Sequence, residues 1–163
     1  MRLILIIISF LLSTNTAVYA QDRYEYIDIH TMRDQPIVKG TINGKEAFFL
    51  LDTGADVSLI HINDAKRYGF SYHTRHSRQG FRVTGLGASV KGLVGVYGMN
   101  LEIGSQKIID DYIAVDLSNI IRTLHTGSTV RISGIIGCKA LRLHGFVIDY
   151  HHKKVKMKLP SSK

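Results

Sequence analysis

From residue 21 onward the apolar positions come in short runs, many alternating with polar residues and most broken by glycine. Runs of that length fit strands better than helices, so the pattern predicts a mostly β chain. Tyr24, Tyr26, Ile27 and Ile29 mark a first strand. The segments IVKGTI and KEAFFLL flank Asn43-Gly44, a dipeptide suited to a type I′ turn, and so predict a hairpin. VSLI predicts a further strand, and Asn63 stands where it would cap a short helix, DAKRYG, that stops at Gly69. Later strands are predicted near Phe81 to Thr84, Val90 to Val96, Met99 to Ile103 and Lys107 to Val115. DLSNIIRTL predicts a helical turn or two, capped by Asp116 or Ser118. In the last third, SGIIG is a brief apolar strand between glycines. CKALRLHG has helical spacing at Ala140, Leu141 and His144 before a glycine stop, and FVIDY and KVKMKL bracket the polar turn HHKK. No linker, repeat or low-complexity tract divides the chain.

The first 20 residues follow a different pattern. Arg2 precedes the apolar run Leu3 to Leu12, and Val18-Tyr19-Ala20 approximates a small-x-small cleavage site, which together predict a signal peptide over residues 1–20. The run is well short of the roughly 20 residues that cross a bilayer, so the expectation is export to a periplasm or the medium, with no stable membrane anchor. The sole cysteine is Cys138, which excludes lipid attachment at the cleavage point. Removal of the leader leaves 143 residues (163 minus 20), beginning at Gln21, and residues 21–163 fit a single domain. One cysteine makes no internal disulfide, so packing or association must supply the stability, and Cys138 is expected as a small buried hydrophobe. The formal net charge of +8 falls to +7 when Arg2 is lost, with basic residues crowded into HHKKVKMKLPSSK. Lysines on a terminal strand discourage edge pairing; an anionic surface or acidic substrate is the other use of such a tail. No nucleic-acid motif or aromatic-basic interleaving is present, which sets nucleic acid aside as a partner.

The chemistry centres on FFLLDTGADVSLI, residues 48–60. Asp52 ends a strand too apolar to face water on either side, where a carboxylate is costly unless neighbouring groups hydrogen-bond it. Thr53 offers a hydroxyl, and Gly54 permits a close backbone approach. Taken alone, the tripeptide is more often a turn aspartate that only caps its loop.

This stretch closely resembles the active-site segment of retropepsin-like aspartic proteases, in which a hydrophobic strand delivers Asp-Thr-Gly-Ala and a second apolar strand follows. VTGLGASVKG, residues 83–92, resembles the family's flap hairpin, with Leu86 near its tip. GIIG, residues 134–137, resembles the strand that crosses beneath the catalytic loop and precedes a short helix. The resemblance covers most of Ile37 to Leu159 and is closest to single-domain bacterial and retroviral-like members. It implies an all-β acid-protease barrel with short helices and one lobe per chain. It also implies an aspartic endopeptidase with Asp52, Thr53 and Gly54 catalytic, Ala55, Asp56, Gly85, Leu86 and Gly87 contacting a peptide or protein substrate, and no cofactor or metal. Catalysis there needs two aspartates sharing one proton. This chain has one such motif: HTGST carries His125 where the aspartate would stand, and VIDYH lacks the Thr-Gly. The resemblance therefore implies a homodimer with the site on its two-fold axis, and Thr53 of each chain bonded across it. Chain ends interleave in viral dimers, which makes Tyr24 to Ile29 or Val155 to Leu159 candidates for that role here. Viral members pair the residue at Asp56 with an arginine following the closing glycine. Cys138 and Lys139 stand there instead, leaving Lys139 or Arg142 as substitutes, and Thr84 and Ala88 replace flap glycines.

Other signals carry less. His73 and His76 lie three apart in a basic loop, and His151-His152 fits a hairpin turn; neither supplies the fixed third ligand zinc requires. Gly85-x-Gly87 lacks the third glycine and the helix of a dinucleotide fingerprint. Asp110-Asp111 is expected as an exposed pair at a strand start, and Asp149 as a structural, turn-forming residue. Beside the protease stands a second class of function, a noncatalytic module gripping a peptide or envelope component in the same cleft.

Overall fold

Asn43 and Gly44 have φ of 50° and 75°, the positive pair that a type I′ turn requires, and they join β2 (Gln35–Ile42) to β3 (Lys45–Asp52). The computed structural model describes residues 22–32, 34–75, 93–125 and 130–160. Residues 1–20, expected as a signal peptide, residues 83–92, expected as a flap, the strand expected at Phe81 to Thr84, and His76 lie outside these residues. Asn43 does more than turn the chain. Its Nδ2 donates to the carbonyls of Tyr68 and Gly98, and its Oδ1 accepts from Asn100 N–H at 2.7 Å, tying the hairpin to two later loops.

The remaining strands are β1 (Tyr24–Met32), β4 (Ser58–His61), β5 (Ser71–Arg75), β6 (Leu93–Tyr97), β7 (Leu101–Ile103), β8 (Gln106–Lys107), β9 (Tyr112–Val115), β10 (Gly134–Gly137), β11 (Val147–Asp149) and β12 (Lys154–Lys158). Among the described residues three short helices accompany them: α1 (Ala65–Tyr68), α2 (Ser118–His125) and α3 (Cys138–Leu143). The strands follow the order β11-β12-β1-β2-β3-β10-β4-β9-β6-β5, with β7 and β8 attached beside β2. The fold is the all-β one expected, a mixed sheet with few short helices. β10 sits centrally, parallel to β3 and antiparallel to β4, while β4 runs parallel to β9.

That topology explains the unbroken apolar run before Asp52. Successive side chains of a strand face opposite sides, and here both sides are core. Phe49 and Leu51 join Ile136, Val38 and Tyr68 in one cluster; Leu50 joins Ile135, Ile37, Leu59 and Leu117 in the other, with Phe48 packed against it. Ile135 and Ile136 are both fully buried, each stabilising by about 1.5–3 kcal/mol.

Several local expectations change in three dimensions. α1 is preceded by a 3-10 turn over Ile62–Asp64 and has no side-chain cap from Asn63 or Asp64, although Gly69 ends it in the left-handed conformation. Asp64 is instead buried and holds both guanidinium nitrogens of Arg131, at 2.9 and 3.0 Å. The stretch Lys107 to Val115 is shared between two strands: β8 folds back on β7, a pairing that Ile108 N–H extends by bonding to Leu101 O, whereas β9 pairs with β4. The lysine-rich β12 is no edge: it lies between β11 and β1. Both candidate interleaving ends are partners within one chain, with Tyr24 opposite Lys158 and Asp28 opposite Lys154.

Candidate active site

Asp52 is the last residue of β3, in parallel register with Gly137 of β10. Beyond it the chain turns at once, level with the end of β10. Gly54 N–H donates to Asp52 Oδ1 at 2.9 Å, and Ala55 N–H donates to Asp52 O at 3.3 Å, so the turn closes on its own aspartate. Cys138 N–H then donates to Ala55 O at 2.7 Å, which fastens the turn to the start of α3. Gly137 admits nothing larger: a Cβ there would lie 2.6 Å from the carbonyl carbon and oxygen of Val57. Asp52, Ala55 and Val57 are half-buried, while Thr53, Gly54 and Asp56 are exposed. The five predicted residues from Asp52 to Asp56 thus form one turn beside β10. Gly85, Leu86 and Gly87 lie outside the described residues.

Beneath the turn is a support the sequence did not reveal. Ser58, wholly buried, accepts from Gly137 N–H at 3.0 Å and donates its hydroxyl to Asp110 Oδ2 at 2.5 Å. Asp110 was expected to be exposed, yet its side chain is 1 % exposed. Its position following the β8 strand, opposite the start of β4, carries it inward. Asp111 is the exposed member of the pair and receives Lys139 Nζ at 2.6 Å; Lys139 also lies 3.6 Å from Asp110. The hydrogen bond to Asp111 holds the Lys139 ammonium above its ordinary pKa. Lys139 therefore pairs with Asp110 and Asp111 in place of Asp56. Arg142 lines a separate cleft with His144 and Lys158, so neither substitute takes the viral arginine's role.

Asp52 opens onto a cleft of about 480 Å³. Gln35 and Leu50 line it from the β2–β3 hairpin, and Asn119, Ile120, Thr123 and Leu124 line it from α2. α2 is held at its start: Asp116 Oδ1 accepts from Ser118 N–H at 2.8 Å, and buried His61 accepts Leu117 N–H on Nδ1 at 3.0 Å. Asp116 is thus the capping residue of the two expected. Its pKa is lowered by the hydrogen bonds from Ser118. The half-buried Tyr112 supports the same region, donating to Ile108 O at 2.6 Å, and burial pushes its phenol up. The helix expected over DLSNIIRTL is present, but its place beside Asp52 was not legible in the sequence.

His73 and His152 make structural contacts. His73 stacks on Tyr97 at 4.2 Å, and His152 joins Asp149 at the β11–β12 turn, 2.7 Å from ring nitrogen to carboxylate and 2.9 Å from N–H to Oδ1. Among the described residues no group of three or more His, Cys, Asp or Glu is arranged to hold a metal ion. Nor is any helix among them long and apolar enough to cross a membrane.

Residues 38–116 match the family model of the gag-polyprotein putative aspartyl protease. Among curated protein sequences none matches significantly. Among solved structures, the retroviral protease-like domain of Ddi1 from Leishmania major has a TM-score of 0.50 and 18 % identity over 77 % of this chain and 94 % of that one. A retropepsin-like aspartic protease from Rickettsia conorii has a TM-score of 0.49 and 14 % identity, covering 85 % of this chain and 95 % of that one. The EIAV protease complexed with the inhibitor HBY-793 has a TM-score of 0.45 and 18 % identity, covering 71 % and 93 %. The matched segment runs through the Asp-Thr-Gly turn and the fold is that of the Ddi1 domain, so the chain is similar to the retropepsin-like aspartic proteases in both sequence motif and fold.

Proposed function

We propose that the chain is an exported aspartic endopeptidase that works as a homodimer, with water activated between two Asp52 carboxylates, one from each protomer. The observation carrying this reading is Asp52 itself, a half-buried carboxylate at the end of an apolar strand, hydrogen-bonded by Gly54 N–H and facing a cleft. A turn aspartate serving only its loop has no use for the cleft that this one faces.

Two carboxylates about 3 Å apart cannot both ionise and so share one proton. The ionised group removes a proton from water as the water oxygen attacks the peptide carbon, and its neighbour protonates the carbonyl oxygen. Collapse of the diol breaks the C–N bond, the departing nitrogen takes a proton, and the shared proton is restored. No covalent intermediate or cofactor enters. The chain holds one Asp-Thr-Gly, so the second carboxylate belongs to a second chain on a two-fold axis. Thr53 then bonds its counterpart across the axis. Gly54, Ala55 and Asp56 border the substrate main chain, with Gly85, Leu86 and Gly87 above it. Residues 1–20 direct export, to a periplasm or the medium.

The test is cleavage of an unfolded protein by the chain from Gln21, scanned over pH and protein concentration beside Asp52→Asn. The expected result is acidic to near-neutral activity that rises more steeply than linearly at low enzyme concentration and vanishes in the variant. Two folded, dimeric but inactive proteins would transfer the cleft to the noncatalytic reading.

A further inference from the structure

We infer that a second cleft, between the start of β3 and α1, binds a carboxylate through Arg67 and Arg131, and that the carboxylate is an acidic side chain of a bound polypeptide. The cleft has a volume of about 400 Å³ and shares no lining residue with the one at Asp52. The choice of a polypeptide as the source rests on the proposed function; the carboxylate chemistry does not.

Both arginines are held in place by groups that do not use them up. Buried Asp64 accepts from the two terminal nitrogens of Arg131 at 3.0 and 2.9 Å. A guanidinium carries five N–H donors, so others remain on a side chain that is 35 % exposed. The Arg67 guanidinium carbon lies 5.2 Å from the centroid of the Tyr68 ring, a cation–π contact. That ring is a fixed platform: Tyr68 is buried, and its hydroxyl is bonded to Glu46 O at 3.1 Å and Ser133 Oγ at 2.8 Å. Lys45 Nζ donates to Arg67 O at 2.6 Å, which fastens the end of α1 to the β2–β3 hairpin.

The charge balance selects an anion. Glu46 is the acidic residue lining the cleft, and it is paired with Lys39 at 2.7 Å, as Arg131 is with Asp64. Among the described residues no carboxylate pairs with Arg67, which leaves one positive charge unmatched on the rim. The planar fork of a guanidinium matches a carboxylate with two parallel hydrogen bonds. Half-buried Phe48 and Val130 flank the cleft and suit the short methylene stem of a glutamate or aspartate. Glu46 stands six residues before Asp52 on β3, a distance of about 20 Å along an extended strand. One protein substrate can therefore reach both clefts.

The experiment uses the chain from Gln21 carrying Asp52→Asn, so that binding is read without cleavage. Fluorescence anisotropy gives Kd for two labelled peptides that differ only in a run of glutamates or of glutamines. Arg67→Ala is compared with Lys66→Ala, a change at an exposed residue of the same helix that does not line the cleft. Circular dichroism checks that each variant is folded. The glutamate peptide is expected to bind about tenfold tighter than the glutamine one, and Arg67→Ala to abolish that difference. Lys66→Ala should change it by less than about twofold, as befits an exposed charge screened by salt. Equal binding of the two peptides, no binding of either, or equal effects of the two substitutions overturns the site. Free glutarate that binds as tightly as the glutamate peptide, with the same dependence on Arg67, overturns the polypeptide as its source. Cleavage by the chain with Asp52 intact is followed in parallel. Arg67-dependent binding without cleavage sinks the protease reading and supports the site, whereas cleavage with binding indifferent to Arg67 does the reverse.

Discussion

Ser58→Ala removes one oxygen at a place where two buried groups depend on it. In the native chain that oxygen accepts from Gly137 N–H at 3.0 Å and donates to Asp110 Oδ2 at 2.5 Å. Ser58 is 0 % exposed and the Asp110 side chain 1 % exposed, so water does not readily replace the hydroxyl. Leaving Gly137 N–H unpaired costs about 1–3 kcal/mol, and losing a hydrogen bond to a charged group about 1.5–3 kcal/mol. The carboxylate keeps Asp111 N–H at 2.8 Å on its other oxygen and Lys139 nearby, which places the total nearer about 3 kcal/mol than the sum of the upper limits. With a urea m-value of about 2 kcal/mol/M, the midpoint should fall by about 1.5 M. Both proteins must be compared at one protomer concentration, since association adds to apparent stability. Ser71→Ala, at an exposed position on β5, is the control. In a double-mutant cycle with Asp110→Asn, a coupling of about 1 kcal/mol or more is expected. A Ser58→Ala loss below about 1 kcal/mol with no coupling would refute the claim that this network holds β10 against the Asp52 turn.

Gly137→Ala drives a methyl into the Val57 backbone at 2.6 Å, which cannot rotate away, and should cost on the order of 3 kcal/mol or prevent folding, as read by thermal melting. A near-native melting temperature would contradict the close approach of β10 to the turn. Asn43→Gly keeps the positive φ but loses three hydrogen bonds, so it should still destabilise by about 1–3 kcal/mol in urea, whereas a silent change would reduce Asn43 to a turn former. Asp116 has a folded pKa below its ordinary 3.8, so its contribution to the start of α2 is present above that value and lost as pH falls toward the lowered one. Amide exchange at the start of α2 should therefore accelerate on acidification through that range, and Asp116→Asn should remove the pH dependence.

What was legible in the sequence was local. Asn43-Gly44 specifies its turn from two residues, Gly69 ends its helix from one, and the run into Asp52 announces a strand buried on both faces. The support beneath the turn was not legible because no window contains it. Ser58 meets Asp110 from 52 residues away because β4 pairs with β9, and Gly137 from 79 residues away because β10 pairs with β4. Lys139 shows the same limit from the other side. Its place after Gly137 made it a candidate partner for Asp56, yet its reach was settled by Asp110 and Asp111 at the approach to β9.

These cases connect Asp52 to the core. Asp52 can stop where it does because β10 runs parallel to β3 and ends in register with it, and β10 can run there only if both its side chains and its last N–H are satisfied. Ile135 and Ile136 meet the first need by filling separate clusters, and Ser58 meets the second. Ile135 shares its cluster with Leu117 and the inner side of α2, so the helix lining the Asp52 cleft packs on the strand that supports Asp52. Position of the carboxylate and shape of the cleft are therefore set by one body of packing. A cavity made at Ile135, as in Ile135→Ala, should cost about 2–5 kcal/mol in stability. It should also disturb both Asp52 and α2 in NMR spectra, whereas Ile136→Ala, in the other cluster, should disturb Asp52 and spare α2.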